Sequence, residues 1–333
     1  MANREPVHGR LGFFGLPLGA LTLLGEGHEL AFAVLSPVPH VGRRRLIAKI
    51  GKARVIEVAE CLGDFEAVVE ARLNESPIEL LVSWFWTRRI HSTWISKARL
   101  GAIGVHPSLL PKHRGPNPFF AAIDAGDTLT GVTAHELTSE YDTGRILLQS
   151  SLPVADRDAW QLARALDRPS LGALKQATRG VLQGTLEAHE QDPRLASWAP
   201  EPIGDALRVD WNWPTERILR RIRALGPTPG LALELKRQAF FVTKASRVAR
   251  PNLELRAGEA VIWGEPKEVV IATVDGAIRL DACVLSVRGA GEGDGGDGGD
   301  EGDGGDGGDE GETSDEVGEL LHGPAFARQL GPL

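Results

Sequence analysis

Between residues 10 and 106, short apolar runs alternate with stretches of helical periodicity, and this alternation constrains the fold more than any other feature. Residues 11–15 read as a strand, 18–25 as a helix and 30–36 as a strand. Residues 65–73 have helical spacing, 78–85 read as a strand, a short helix lies near Trp94, and 101–106 read as a strand. Strands that arrive singly between helices pair in parallel, because a parallel neighbour needs a crossover connection. The expected class is α/β, a doubly wound and mostly parallel sheet, with ligands bound beyond the carboxyl ends of its strands.

Further along, residues 157–190 read as helical, with Pro169 expected to start a second helix after Asp167. Leu171, Leu174, Val181 and Leu182 would form its apolar face, with Thr178 as the one polar interruption. Residues 191–202 hold three prolines and few periodic apolar positions, as a linker does. Pro214 then opens a helix that turns Ile218, Leu219, Ile222 and Leu225 to a core, and the glycine–proline stretch 226–230 ends it. Five short strands follow at 231–235, 238–244, 260–263, 269–274 and 278–287, with Asp275-Gly276 as a two-residue hairpin signal. They suggest a small barrel of the OB type. The expected division is a catalytic domain over 1–190, a linker over 191–202, a barrel over 203–289, an acidic run over 290–316 and a terminal segment over 317–333.

The formal charge of −8 conceals two different parts. Residues 290–316 carry twelve Asp and Glu and no basic residue, so taking those twelve negative charges from −8 leaves +4 for the rest. A mildly basic body leaves room for an anionic ligand or RNA. The Gly/Asp/Glu run cannot bury apolar area and is expected to be disordered, an insertion before a last docked helix. It lacks the hydrophobic residue that each unit of a calcium-binding β-helix requires. Cys61 and Cys283 stand far apart with no Cys or His at ligand spacing, which argues against a disulfide scaffold and against a metal site, and fits a reducing cytoplasm. The apolar run at 11–24 is broken by Gly15, Pro17 and Gly19, and no apolar stretch reaches the roughly 20 residues that cross a bilayer. A soluble protein without a membrane partner is expected.

Chemistry concentrates between Gly104 and Gln149. His106 follows a strand and precedes Pro107, which favours extended backbone at the end of the sheet. Asp142 lies in the turn Tyr141-Asp-Thr-Gly144, where Gly144 could take positive φ and let the carboxylate project back. A histidine oriented by a carboxylate is a usual acid/base or oxyanion-stabilising pair, and two such residues in a turn-rich region can equally be structural. His135 sits in an apolar strand and is expected to make a structural hydrogen bond. His113, between Lys112 and Arg114, can be solvent-exposed or functional.

The ordered set His106-Pro-Ser-Leu-Leu-Pro-Lys-His-Arg-Gly115, Gly126-Asp127, Thr130-Gly-Val-Thr-Ala-His135 and Asp142-Thr-Gly144 resembles the signature of the folate-dependent formyltransferases. That family includes methionyl-tRNA, glycinamide ribonucleotide and sugar N-formyltransferases. The likeness extends to Phe14-Gly15, to Trp86-Thr-Arg-Arg-Ile90 as the pterin loop, and to Ser197-Trp-Ala-Pro, Asp210-Trp211 and Pro229-Gly230 in the linker and barrel. It implies transfer of a formyl group from 10-formyltetrahydrofolate to an amine, with no metal.

By motif position His106 would stabilise the tetrahedral oxyanion and Asp142 would orient it and assist proton transfer. Arg88, Ile90, Ser139, Glu140 and Tyr141 would contact the folate, largely through backbone. Ser108 would shape the turn on the substrate side, and Arg114 and Asn117 would lie towards the acceptor. Trp84, Phe85 and Trp86 could instead be core aromatics. The chain departs from the family at Gly104, where the third catalytic residue, an asparagine, is expected. Losing one oxyanion donor typically costs about 10²–10³ in rate. Three readings follow: water or another side chain, Asn117 being nearest, supplies the donor; the acceptor chemistry differs; or folate is bound without efficient transfer.

For the acceptor, methionyl-tRNA is favoured by the barrel and by the basic run of residues 43–54, which the resemblance places at a tRNA-contacting loop and which could also be a solvated helix face. Pro107, where methionyl-tRNA formyltransferases usually have alanine, and the acidic run favour a small amine such as an amino sugar or amino acid.

Overall fold

In a computed structural model the described residues are 8–37, 41–58, 65–75, 77–285 and 320–330. The acidic run of 290–316, for which disorder was expected, and Cys61 lie outside them. The chain divides into two compact units, Met1–Ile203 and Gly204–Leu333.

The first unit is built from β1 (Arg10–Gly15), α1 (Pro17–Gly25), β2 (Glu29–Leu35), α2 (Arg43–Ile50), β3 (Val55–Glu57), α3 (Phe65–Glu75), β4 (Leu80–Trp84), α4 (Ser92–Ile95), β5 (Ala102–His106), α5 (Pro118–Ala125), β6 (Leu129–Glu136), β7 (Ile146–Pro153) and α6 (Ala159–Gln183). The strands form one sheet in the order β3-β2-β1-β4-β5-β6-β7, parallel from β3 to β5, with β6 antiparallel to β5 and β7 to β6. The central strands are buried on both faces, as Phe13, Phe14, Phe32, Leu81 and Val82 show, which is why they read as continuous apolar runs. Order reverses between β1 and β4, and the crevice of such a sheet opens there. At this point Gly15 has φ +132° and a side chain on it would fall 1.8 Å from the Trp84 carbonyl oxygen, so only glycine lets the two strand ends pass.

Helix α6 differs from expectation. It runs unbroken for 25 residues through Pro169, capped by Asp158, whose carboxylate accepts from the Gln161 N–H while the Gln161 side chain accepts from the Asp158 N–H. One face stays buried on both sides of the proline, through Leu162, Leu166, Ala173, Leu174 and Ala177, and this packing outweighs the lost backbone hydrogen bond. Thr178 is buried on that face, while Leu171, Val181 and Leu182 are only partly covered. Within it, Ser170 Oγ accepts from the Trp84 indole N–H at 3.0 Å, tying the helix to β4.

The second unit comprises α7 (Thr215–Leu225), β8 (Leu231–Leu235), β9 (Gln238–Val248), β10 (Ala260–Trp263), β11 (Glu268–Thr273), β12 (Gly276–Leu285), β13 (Leu320–His322) and α8 (Gly323–Leu330). Its six strands make an antiparallel, barrel-like sheet, β10-β11-β12-β9-β8 with β13 also on β12. Register breaks on β12 near Ala282 accompany its pairing with more than two neighbours. The hairpin turn falls on Val274 and Asp275, one residue earlier than its Asp-Gly signal, because the Asp275 carboxylate accepts from the Thr215 N–H at 2.8 Å and holds the start of α7. The expected docked helix is α8, with Phe326 buried against Phe240. Among the described residues no helix is long and apolar enough to cross a membrane.

Candidate active site

A cavity of about 380 Å³ opens at the carboxyl ends of β4 and β5. Strand β5 supplies Gly104 and His106 to its wall, the segment after β4 supplies Phe85, Trp86, Arg88 and Ile90, and the turn after β6 supplies Leu137, Glu140, Tyr141 and Asp142. Parallel pairing of β4 with β5 and antiparallel pairing of β5 with β6 bring these three segments together.

His106 is buried, with Nδ1 3.5 Å from Asp142 Oδ2. Its Nε2 lies 2.7 Å from the His113 carbonyl oxygen, which can only accept, so Nε2 carries a hydrogen. Asp142 Oδ2 also accepts from the Gly115 N–H at 2.8 Å. The turn is built differently from its expected form. Asp142 itself takes the left-handed conformation, at φ +56°. Gly144 is required by space, since a side chain there would meet the Glu136 carbonyl oxygen at 1.8 Å. Gln191 braces the turn by donating to the carbonyls of Asp142 and Gly144 at 2.8 and 2.7 Å.

Several expected residues serve the frame. Ser108 is fully buried and donates to the Lys112 carbonyl, while Thr133 Oγ1 ties the Ser108 carbonyl to the Leu110 N–H. It shapes the loop, as expected, and does not line the cavity. Arg114 and Asn117, expected towards the acceptor, do not line it either. Arg114 is spent on Gln191 Oε1 at 2.7 and 3.1 Å. Asn117 Oδ1 caps α5 at the Phe120 N–H and Nδ2 donates to Glu201, so this amide is engaged and not free to act as the donor expected at 104. Ser139 is exposed beside the wall formed by Glu140 and Tyr141.

The segment expected as a linker packs on the same loop, with Arg114 and Asn117 donating main-chain hydrogen bonds to the carbonyls of Ser197 and Ala199. His113, open between exposure and function, is buried, its Nε2 2.7 Å from Asp127 Oδ2.

The wall also holds His135, Leu137 and Trp86, of which the sequence placed only Trp86 near the folate. His135 makes the expected structural bond, Nδ1–H to the Glu136 carbonyl at 2.8 Å, yet its Nε2 stands 3.6 Å from Asp142 Oδ1. Burial pushes its pKa down to about 4, against the pull of the Asp142 charge. Leu137 fills the space beside Gly104, its Cδ2 2.8 Å from where a side-chain Cβ would begin. Trp86 packs edge-on to Phe14 at 5.4 Å, and its indole N–H is buried with no partner among the described residues. Only the strand register, invisible in the one-dimensional spacing, brings His135 and Leu137 to Gly104.

The sequence matches the Formyl transferase family over residues 37–175 and the Formyl transferase C-terminal domain over 205–286. A methionyl-tRNA formyltransferase of Herpetosiphon aurantiacus is 30% identical over 295 residues, covering 85% of this chain and 94% of that protein. The chain belongs to the formyltransferase family. A second methionyl-tRNA formyltransferase, from Thiobacillus denitrificans, is 29% identical over 78% of this chain and 84% of its own length. Among solved structures, HypX of Aquifex aeolicus bound to tetrahydrofolic acid has a TM-score of 0.60 at 21% identity. The likeness covers 84% of this formyltransferase and 44% of HypX, so the chain spans under half of that protein. An N-formyltransferase of Helicobacter canadensis, in complex with folinic acid and dTDP-3-aminofucose, has a TM-score of 0.60 at 17% identity over 81% of this chain and 98% of its own. These likenesses show a shared fold.

Proposed function

We propose that this formyltransferase moves a formyl group from 10-formyltetrahydrofolate to the amine of methionyl-tRNA, with His106 and Asp142 as its catalytic pair. The observation that carries the chemistry is the His106–Asp142 pair at the cavity, its histidine buried and its carboxylate bonded to the Gly115 N–H, at the carboxyl ends of β4 and β5. Support for the acceptor comes from the match to both domains in order and from relatives of nearly the same length.

The cavity suits a pterin. Among the described residues Trp86 offers a buried N–H without a partner, and the peptide groups of residues 87–90 take no main-chain hydrogen bonds. Arg88, Ile90, Glu140 and Tyr141 would hold the folate there, with Ser139 at the margin. When bound, 10-formyltetrahydrofolate would supply the activated formyl group, and the chain's residues do the rest. At 3.5 Å the His106–Asp142 contact is long for a hydrogen bond, so the ring, protonated on both nitrogens beside the Asp142 carboxylate, can turn its Nδ1–H towards an oxyanion while the Nε2–H stays on the His113 carbonyl. Asp142 then receives the amine's proton.

A second reading, formylation of a small amine such as an amino sugar or amino acid, is favoured by Gly104 and Pro107. It also has the example of the Helicobacter canadensis enzyme. Tetrahydrofolate release measured with methionyl-tRNA and with a panel of amino sugars and amino acids separates the two. Turnover with methionyl-tRNA alone supports the first reading, and turnover with a small amine alone replaces it with the second. Saturable folate binding with no release for any amine would mark a folate-binding homologue without efficient transfer.

A further inference from the structure

His106 accounts for one oxygen of Asp142, and the other is turned to His135. Antiparallel pairing sets His135 on β6 directly opposite Gly104 on β5. With no side chain at 104, the imidazole Nε2 lies 3.8 Å from where a Cβ would stand. The His135 Nδ1 must carry a hydrogen, because its partner at 2.8 Å is the Glu136 carbonyl. In the neutral ring Nε2 is therefore an acceptor, and it faces Asp142 Oδ1 at 3.6 Å. Asp142 Oδ2 is taken up by the Gly115 N–H and by His106. Two acceptors facing each other gain nothing while the carboxylate is ionised. A proton on Oδ1 turns the same contact into a donor–acceptor pair.

We propose that His135 is a positioning residue for proton transfer, accepting through Nε2 the hydrogen that Asp142 Oδ1 takes from the attacking amine. This rests on the formyl-transfer reading. As the amine nitrogen bonds to the formyl carbon, the C=O π pair moves to oxygen. The amine N–H bond breaks and its proton passes to Oδ1, held by His135. On collapse the carbon–N10 bond breaks, its electron pair goes to N10 and N10 takes up that proton. The products are the formamide and tetrahydrofolate with no net proton. His106 from β5, Asp142 from the turn after β6 and Arg114 from the loop before α5 are the charged or titratable groups acting on His135, with Glu136 bonded through its main chain. Burial keeps the ring in the accepting form.

The test compares His135→Phe, which keeps a ring and removes the acceptor, with His135→Gln, whose carbonyl can accept. Tetrahydrofolate release gives kcat, KM and their pH dependence, and quenching of tryptophan fluorescence by folate checks the pocket. In His135→Phe, kcat should fall about 10- to 100-fold with KM little changed. Its acid limb should move to lower pH, because protonated Asp142 has lost its acceptor. His135→Gln should recover most of kcat and return the limb towards its original position. Unchanged kcat and pH profile in the phenylalanine variant, an effect on KM alone, or equal losses in both variants would overturn the proposal. Should the phenylalanine variant not bind folate, His135→Leu against His135→Gln makes the same comparison. Wild-type protein that releases no tetrahydrofolate with any amine would defeat the formyl-transfer reading itself, whereas turnover indifferent to residue 135 defeats only the role of His135.

Discussion

At the scale of single residues Gly104 and His135 belong together, as facing positions of β5 and β6. A side chain at 104 would start 2.8 Å from Leu137 Cδ2, the tip of a half-buried side chain, so Gly104→Asn requires that leucine to swing aside. Combined with Leu137→Ala the asparagine has room, and the double variant is expected to exceed the wild-type kcat by roughly tenfold or more if an oxyanion donor is what the chain lacks. Steady-state tetrahydrofolate release checks this, and an unchanged kcat in a folded double variant would mean that the donor is already replaced. His135 also sets a pH dependence of stability. Its folded pKa, about 4, lies below the ordinary 6.5, so between these values the unfolded chain binds a proton that the folded chain does not. Stability should therefore fall by about 3 kcal/mol as pH drops from 6.5 to 4, and His135→Phe should flatten that slope in urea melts. His106 and Asp142 were legible from the motif because their neighbours in sequence form the loop and turn that carry them. Asn117 misled because its reach along the chain said nothing of its duty as a helix cap, which consumes the amide.

At the scale of elements, β1, β2, β4 and β5 follow the apolar pattern closely, since a doubly buried parallel strand announces itself as an apolar run, whereas the three-residue edge strand β3 is too short to do so. The expected break at Pro169 fails for a reason local pattern cannot carry: the buried face of α6 continues past it. Ser170, the next residue, meets the Trp84 N–H within that face, so Ser170→Ala leaves a buried donor unpaired. A loss of about 1–3 kcal/mol is expected in thermal or urea unfolding, with the folate pocket intact in what remains folded. No loss would mean that the indole finds another partner. The turn at Val274–Asp275 gives the same lesson, since its position answers to the bond between Asp275 and Thr215 60 residues away in sequence.

At the scale of the molecule, the two compact units match the two family domains, and the division at Ile203 and Gly204 falls at the end of the proline-rich stretch. The chain outside the acidic run has a formal charge of +4, and Arg44, Arg45 and Lys49 of α2 are on the surface. If methionyl-tRNA is the acceptor, its KM should rise steeply with salt while folate binding changes little, because phosphate contacts release counterions. A flat salt response would favour a small amine. Formyl transfer at His106 and Asp142 is tested most directly by tetrahydrofolate appearance from 10-formyltetrahydrofolate on adding an amine acceptor, compared between wild type and Asp142→Asn. The amide keeps an oxygen for the Gly115 N–H but cannot take a proton, so amine-dependent release should drop by about 10²-fold or more with folate affinity preserved. Equal amine-dependent release from both proteins would contradict the assignment.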